Sequence, residues 1–184
     1  MRIIDLTPDN EGLVRQVAAL LVEAFREHWP DAWPDVGSAL EEVRNSFGTG
    51  RISRVAVGED GEALGWIGGS PEYDGAVWEL DPLAVSPVHQ RKGIGRALVA
   101  DLEEQVRQRG GLTIILGSDD ENNMTTLSGV DLYPNVWEQI ARIKNLKGHP
   151  YEFYQKLGFT ITGVVPDANG RGKPDILMAK RVCG

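Results

Sequence analysis

The amino-acid sequence predicts one layered domain of the α/β or α+β class, in which helices flank a sheet. The chain has 184 residues, a length at which a single domain is the default. Its composition, with 41% hydrophobic and 25% charged residues, is globular and too apolar for a disordered chain. Helical and β-rich segments alternate without a linker or repeat, so we expect the domain to span residues 1–184.

Two helices are predicted near the N-terminus. Apolar residues recur at spacings of three and four over residues 11–27, which predicts an amphipathic helix. The loop 28–34 follows, because its two prolines remove amide donors and disfavour helical geometry in the preceding residues. Ser38 and Glu41 have the spacing of a capping box, which predicts the start of a second, shorter helix.

Three strands are predicted next. Residues 51–58 and 63–69 are β-rich and are separated by a turn that contains glycine, which favours an antiparallel hairpin. The run 76–85 is apolar except for Glu79 and Asp81, which predicts a mostly buried strand.

The second half of the chain predicts alternating elements and one long insert. An amphipathic helix over 93–109 is followed by a short buried strand over 112–116. The insert 117–148 has the length of a functional loop and includes a short helix over 136–146. The remaining elements are a helix over 150–157 and strands over 159–165 and 175–181.

The net charge of the chain limits the classes of partner that it can bind. Nineteen basic and 27 acidic side chains give a net charge of −8, which disfavours general nucleic-acid binding and favours a cationic partner. Cys183 is the only cysteine and the histidines lie on separate segments, so we expect no disulfide within the chain and no metal site. No apolar run is long enough to span a membrane and no signal peptide is apparent, so we expect a cytoplasmic protein without a membrane partner.

The segment after the strand 76–85 has the composition of an anion-binding turn. Gly93 and Gly95 open a helix, whose first backbone amides are unpaired and carry partial positive charge. Arg91 and Lys92 add positive charge in an otherwise acidic chain. The two glycines by themselves are equally explained by tight packing of the backbone.

The complete strings around these glycines resemble a known family. V-x-P-x-x-Q-R-K-G-I-G-R-A-L, residues 85–98, resembles motif A of the GNAT superfamily of acetyl-CoA-dependent N-acetyltransferases. F-Y-Q-K-L-G-F, residues 153–159, resembles the later helix-to-strand motif of that superfamily. The resemblance covers nearly the whole chain. It implies a mixed, mostly antiparallel sheet whose central strands splay apart around acetyl-CoA, which is the cosubstrate.

The resemblance also implies the residues that hold acetyl-CoA. Backbone groups of Leu83, Ala84 and Val85 are expected to pair with the pantetheine arm. The pyrophosphate is expected on the turn formed by Gln90, Arg91, Lys92, Gly93, Ile94, Gly95 and Arg96. Many members carry an asparagine just before the helix 150–157, where this chain has Lys147 and Pro150; Asn122 or Asn123 is the expected substitute.

Two residues are candidates for stabilising the oxyanion and for protonating the leaving thiolate. Acetyl transfer from a thioester to an amine passes through an oxyanion, and the backbone N–H of Val85 is the candidate donor to it. Tyr154 lies where the superfamily commonly carries the acid that protonates the departing thiolate, and there it also contacts CoA. A phenol suits this role because its pKa of about 10 exceeds that of a thiol, about 8.5. The alternative is a core tyrosine with a hydrogen-bonded hydroxyl.

Acidic and aromatic residues mark the acceptor side. Glu79 lies in an apolar strand, where an ionised carboxylate is costly unless it faces a cleft or forms an ion pair. Asp119, Asp120 and Glu121 directly follow the strand 112–116 and suit binding of ammonium groups, although a run of acids is often only a solvated surface. Glu79, Asp119 or water is the candidate base for the amine proton.

Trp29 and Trp33 are the aromatic candidates for the acceptor site. Both lie in the loop 28–34, where they either line the acceptor pocket or anchor the loop on the core.

A closer resemblance narrows the acceptor. Residues 78–80, 116–123 and 166–176 are similar to segments of the aminoglycoside 6′-N-acetyltransferases, which acetylate polycationic antibiotics. The resemblance implies transfer to the 6′-amine of an aminoglycoside. A polyamine, a protein or peptide amine, and binding of CoA or antibiotic without turnover remain the alternatives. A homodimer is expected only as the commonest assembly of soluble proteins.

Overall fold

The structure is a computed structural model that describes residues 1–182, so Cys183 lies outside the described residues. The chain divides into two compact units, the first comprising residues 1–114 with Val182 and the second residues 115–181. Residues 1–182 contain seven strands, in groups separated by helices, and this confirms the predicted α/β class. Within residues 1–182, no helix has both the length and the apolar character that crossing a membrane requires.

The first unit contains a four-stranded antiparallel sheet in the order β1-β2-β3-β4. Its elements are β1 (Arg2–Asp5), α1 (Glu11–Phe25), α2 (Val36–Asn45), β2 (Ile52–Val57), β3 (Ala63–Glu72), β4 (Val77–Val85) and α3 (Ile94–Gln108). Both predicted N-terminal helices, the hairpin, the buried strand and the helix that opens at Gly93 are confirmed.

The apolar stripe of α1 forms much of the core of this unit. Leu13, Val17 and Leu21 recur on one face of the helix and are buried, as the periodicity predicts. They belong to one cluster with Val43 of α2 and Trp66 of β3. Burial of this stripe therefore places both N-terminal helices on the sheet.

The predicted cap of the second helix is wrong by three residues. Asp35, not Ser38, is the N-cap of α2, and its carboxylate accepts a hydrogen bond from the backbone N–H of Ser38 at 2.9 Å. This bond lowers the pKa of Asp35. Ser38 therefore lies inside the first turn of α2. Aspartate and serine are both good N-caps, so the sequence alone does not show which of the two begins the helix.

The pairing of β3 with β4 contains a bulge. Ile67 pairs with Leu83, whereas Gly69 pairs with Leu80, so β4 has one extra residue between these two pairs. The bulge is possible because Gly68 has no side chain: a Cβ there would lie 2.3 Å from the carbonyl oxygen of Asp81. Gly68 therefore permits the close backbone approach that shapes the end of β4.

A partly buried ion pair links the strands of this unit to α3. The guanidinium of Arg54 on β2 donates two hydrogen bonds to Asp101 of α3, at 2.7 and 3.0 Å, and one to Asp5 of β1 at 2.5 Å. These carboxylates raise the pKa of Arg54. Because the pair is mostly enclosed, loss of Arg54 would leave the charge of Asp101 uncompensated, whereas loss of Asp101 would leave Arg54 paired with Asp5 alone.

The second unit contains strands in the order β5-β7-β6, and β6 and β7 are antiparallel. Its elements are β5 (Thr113–Asp119, which starts at the end of the first unit), α4 (Val136–Ala141), α5 (Tyr151–Lys156), β6 (Thr160–Val165) and β7 (Asp175–Arg181). The closing helix and the last two strands are confirmed.

The predicted insert is shorter and more ordered than expected. β5 continues to Asp119 instead of ending at Leu116, and α4 ends at Ala141 instead of at residue 146. Thr125 forms an antiparallel bridge with Asn145, and Met124, Leu127 and Leu132 are buried. The segment thus has its own apolar anchors, whose spacing follows neither a helical nor a strand period.

Candidate active site

The turn between β4 and α3 presents an open helix N-terminus. Gly93 is the N-cap of α3 and has a φ of 87°, in the left-handed region that favours glycine. It has no side chain to cover the first amides of the helix, and the described part of the chain forms no side-chain cap hydrogen bond there. Gln90 donates from its side-chain amide to the carbonyl of Val85 at 3.3 Å, which links the turn to the end of the strand.

No acidic residue among residues 1–182 neutralises the positive charge of this turn. Arg91, Lys92 and Arg96 are exposed, and none forms an ion pair with another residue of the described range 1–182. The first turn of α3 contains no acidic residue. Free amides, the helix dipole and three cations together form a suitable site for a diphosphate.

Glu79 on β4 is an acidic residue without a counter-ion among residues 1–182. It is half-buried and lies opposite Ser70 of β3. Its carboxylate makes no ion pair with any residue that the structure describes, so the alternative of an internal salt bridge is not supported. A partly enclosed carboxylate in this state can accept a proton or bind a cation.

The two tryptophans after α1 have different surroundings. Both rings pack on Phe25, with centroid distances of 5.7 Å for Trp29 and 4.6 Å for Trp33. Trp33 also packs on the core of the first unit, which supports the anchoring alternative for that residue. The indole N–H of Trp29 is buried and has no hydrogen-bond partner among residues 1–182.

In the second unit, Asp119 is the last residue of β5 and is half-buried. Its carboxylate accepts a hydrogen bond from the side-chain amide of Asn169, and its backbone carbonyl accepts one from Nε2 of His149 at 3.1 Å. Both the main chain and the side chain of Asp119 are therefore held in place. Sequence reasoning missed both partners, which are distant along the chain.

Asp120 does not have the predicted role. It is 0% exposed, and its two carboxylate oxygens accept hydrogen bonds from the backbone N–H groups of Met124 and Thr125, both at 2.7 Å. This burial contradicts the prediction that Asp120 contacts the acceptor. The carboxylate instead stabilises the loop that follows β5, because it satisfies two amides of that loop.

Glu121 is partly neutralised. Its carboxylate forms an ion pair with Lys173 at 3.6 Å, and both side chains are partly exposed. The insert segment before residue 140 contains no basic residue, but Lys173 of another loop supplies one. Of the three consecutive acids, Asp119 is thus the one that is neither buried nor paired with a cation among residues 1–182.

His149 is a buried structural group that the sequence did not reveal. It is 2% exposed, and its Nδ1 accepts the backbone N–H of Tyr151 at 3.2 Å. Nε2 therefore carries the hydrogen and donates to the carbonyl of Asp119. Burial lowers the pKa of His149, against the opposing effects of the Asp119 carbonyl and the nearby aspartate charges.

The lowered pKa of His149 makes stability depend on pH. Below the ordinary histidine pKa of about 6.5 the unfolded chain binds a proton that the folded chain resists. We therefore expect the free energy of unfolding to fall as the pH decreases from about 7.5 to about 5.5, and to fall less steeply in His149→Asn. Urea titrations measure this slope, and an NMR titration that places the pKa of His149 at or above its unfolded value would contradict it.

Tyr154 lies on α5 in an aromatic environment. It is 9% exposed, and its ring packs at 5.1 Å from that of Phe153 and 5.6 Å from that of Phe159. The ring is thus held by packing, which suits both a core tyrosine and a positioned acid.

The two asparagines after β5 are exposed. Asn123 has a φ of 53° and its side-chain oxygen accepts from the hydroxyl of Ser128 at 3.3 Å. The ammonium of Lys147 donates to the carbonyl of Asn122 at 3.2 Å. Lys147 therefore supports this loop from the region where the superfamily often carries its asparagine.

The chain matches a known protein family. Residues 14–127, more than half of the chain, match the acetyltransferase (GNAT) family. Among curated proteins, an aminoglycoside N(6′)-acetyltransferase type 1 of Klebsiella aerogenes is 33% identical over 115 residues, which are 55% of this chain and 75% of that protein.

Solved structures give more extensive similarity. A crystal structure of aminoglycoside 6′-N-acetyltransferase complexed with coenzyme A has a TM-score of 0.92 and 44% identity, covering 100% of this chain and 98% of that chain. The structure of the aminoglycoside 6′-N-acetyltransferase from Enterococcus faecium has a TM-score of 0.89 and 43% identity, with the same coverage of 100% and 98%.

Proposed function

Because the chain belongs to the acetyltransferase (GNAT) family, we propose that it transfers the acetyl group of acetyl-CoA to the 6′-amine of an aminoglycoside. The observation that carries this proposal is the similarity over the entire chain to an aminoglycoside 6′-N-acetyltransferase complexed with coenzyme A. The match covers 100% of this chain at 44% identity, so it is not limited to the two family motifs.

Acetyl-CoA is assigned to the strand and turn of the first unit. The open amides of Gly93 to Arg96 and the cations of Arg91, Lys92 and Arg96 suit its diphosphate, because they offer uncompensated positive charge. Backbone groups of Leu83, Ala84 and Val85 are assigned to the pantetheine arm. Asn122 and Asn123 are retained as proposed contacts to CoA.

The chemical step is an aminolysis of the thioester. The neutral amine attacks the carbonyl carbon, so that a C–N bond forms and the C–S bond breaks. The N–H of Val85 donates to the transient oxyanion, and the hydroxyl of Tyr154 gives its proton to the departing CoA thiolate. The proton released by the amine passes to Glu79, to Asp119 or to water.

The acceptor is assigned to acidic residues because an aminoglycoside is a polycation. Glu79 and Asp119 each offer a carboxylate that no protein cation neutralises within residues 1–182. Trp29, in the loop after α1, is retained as a proposed contact through its ring, because its indole N–H is buried. Trp33 and Glu121 have smaller proposed contributions, because one packs on the core and the other is paired with Lys173.

The activity is tested by release of CoA thiol from acetyl-CoA. Purified protein is assayed against aminoglycosides that carry or lack a 6′-amine, against polyamines and against peptides. Turnover that requires the 6′-amine supports the proposal, whereas turnover with polyamines or peptides alone supports another acceptor. Calorimetry with CoA is the independent control, since absence of binding would overturn the assignment of the turn.

Glu79→Gln is expected to raise KM for an aminoglycoside by about tenfold, because the loss of one charge-assisted contact costs about that factor. KM for acetyl-CoA should change little. Glu72→Gln, an exposed acid at the end of β3, is the matched control because it removes the same charge. Equal effects of the two variants in steady-state kinetics would place Glu79 outside the acceptor site.

We also propose the domain organisation, the cellular location and the oligomeric state of the protein. A single acetyltransferase domain over residues 1–184 is proposed from the length of the chain. A cytoplasmic location is proposed because acetyl-CoA is available there. A homodimer is proposed from the general frequency of two-fold assemblies, and light scattering at working concentration tests it.

A further inference from the structure

The loop between β6 and β7 is held in one conformation. Asp167 accepts the backbone N–H of Gly172 on its carboxylate at 2.6 Å, and Asn169 donates its own backbone N–H to the carbonyl of Lys173 at 3.0 Å. The carbonyl of Gly172 in turn accepts from the backbone N–H of Gly129 at 2.8 Å. These bonds fix the position from which the side chain of Asn169 extends.

The side chain of Asn169 forms a hydrogen bond with Asp119. Its amide group donates a hydrogen bond to the carboxylate of Asp119, at a separation of 50 residues along the chain. His149 holds the backbone carbonyl of the same aspartate at 3.1 Å. Asp119 is therefore oriented twice, at its main chain by a group before α5 and at its carboxylate by the loop before β7.

The chemistry of this contact preserves the charge of the carboxylate. An ionised carboxylate has about four lone-pair sites, and one hydrogen bond from an amide occupies one of them. The amide is neutral, so it does not cancel the negative charge, whereas Lys173 does so at Glu121. Orientation without neutralisation is what a carboxylate needs in order to bind an ammonium group.

We propose that Asn169 is a positioning residue for acceptor specificity, which orients the Asp119 carboxylate toward an ammonium group of the polycationic acceptor. This inference rests on the proposed function and adds to it a residue that does not itself contact the reacting atoms. It separates Asp119 from its two acidic neighbours, of which one is buried and the other is paired with a cation.

The first test compares the effect of one substitution on KM for the aminoglycoside with its effect on KM for acetyl-CoA. Asn169→Ala is expected to raise KM for an aminoglycoside by about tenfold, while KM for acetyl-CoA and kcat stay within about twofold. Asp167→Asn is the matched control in the same loop, because it removes a charge but keeps an acceptor for the N–H of Gly172. If Asn169→Ala does not fold, Asn169→Leu replaces it, since leucine has nearly the same shape and lacks the donor.

The second test is a double-mutant cycle with Asp119→Asn. If Asn169 acts through Asp119, Asn169→Ala raises KM for the acceptor in the wild-type background and has no further effect in Asp119→Asn. An equal rise in both backgrounds would show a general effect on the loop and overturn the proposal. An active wild-type enzyme with unchanged KM in Asn169→Ala overturns this inference alone, whereas a wild-type protein that acetylates no aminoglycoside overturns the proposed function as well.

Discussion

Tyr154→Phe is expected to lower kcat by about a hundredfold, the lower end of what a general acid contributes. Phenylalanine keeps the ring that packs against Phe153 and Phe159, so the change removes the hydroxyl and leaves the packing in place. The departing CoA thiolate then takes its proton from water, which is less favourably placed. KM for both substrates should change little, because the lost interaction acts mainly in the transition state.

Tyr151→Phe is the matched control, because it removes a buried phenol from the same short helix. Burial raises the pKa of Tyr151, and this tyrosine is assigned no part in the reaction. Single-turnover measurements of thiol release separate the chemical step from product release. An unchanged rate in Tyr154→Phe would show that Tyr154 is a core tyrosine and that another group protonates the thiolate.

Gly68→Ala is expected to destabilise the protein by about 3 kcal/mol, the upper end of the cost of overpacking. The new Cβ would meet the carbonyl oxygen of Asp81 at 2.3 Å, and a backbone atom cannot move away by changing a rotamer. β3 and β4 must therefore separate at the bulge. For a chain of this size the loss corresponds to a decrease in Tm of about 9 °C, which calorimetry or circular dichroism measures.

Gly12→Ala is the control for this substitution. Its Cβ would make an ordinary contact of 3.8 Å with the side chain of Asn10, and Gly12 lies in α1, where alanine is favoured over glycine. Tm should stay constant or rise slightly in this variant. If both glycine variants had the same Tm, the close approach at Gly68 would not constrain the fold.

The elements that were predicted well are those with a strong local signal. α1 and α3 are long and periodic, and β4 is a long apolar run, so each was located from its own residues. β1 was missed because it has four residues and forms through pairing with β2. β5 is three residues longer than its apolar run predicts, because Gly117, Ser118 and Asp119 continue the strand without an apolar signal.

The candidate site likewise contains one part that the sequence predicts and another part that only the fold determines. The turn that opens α3 was predicted together with its glycines and cations, because neighbouring residues in the sequence create it. The acidic run 119–121 was predicted as one group, yet its members have three different environments. Nothing in the run itself distinguishes them.

Local order along the chain thus establishes the family, the helix that opens at Gly93 and the excess of negative charge. Contacts between distant segments establish which carboxylate remains available: Asn169 donates to Asp119 across 50 residues, and Lys173 pairs with Glu121. Asp120 is buried and accepts from the amides of Met124 and Thr125 in the loop that directly follows it. The physical reason is the separation along the chain of the residues that interact. Helix capping and periodicity depend on residues a few positions apart, whereas burial and ion pairing depend on loops that meet only after the chain has folded.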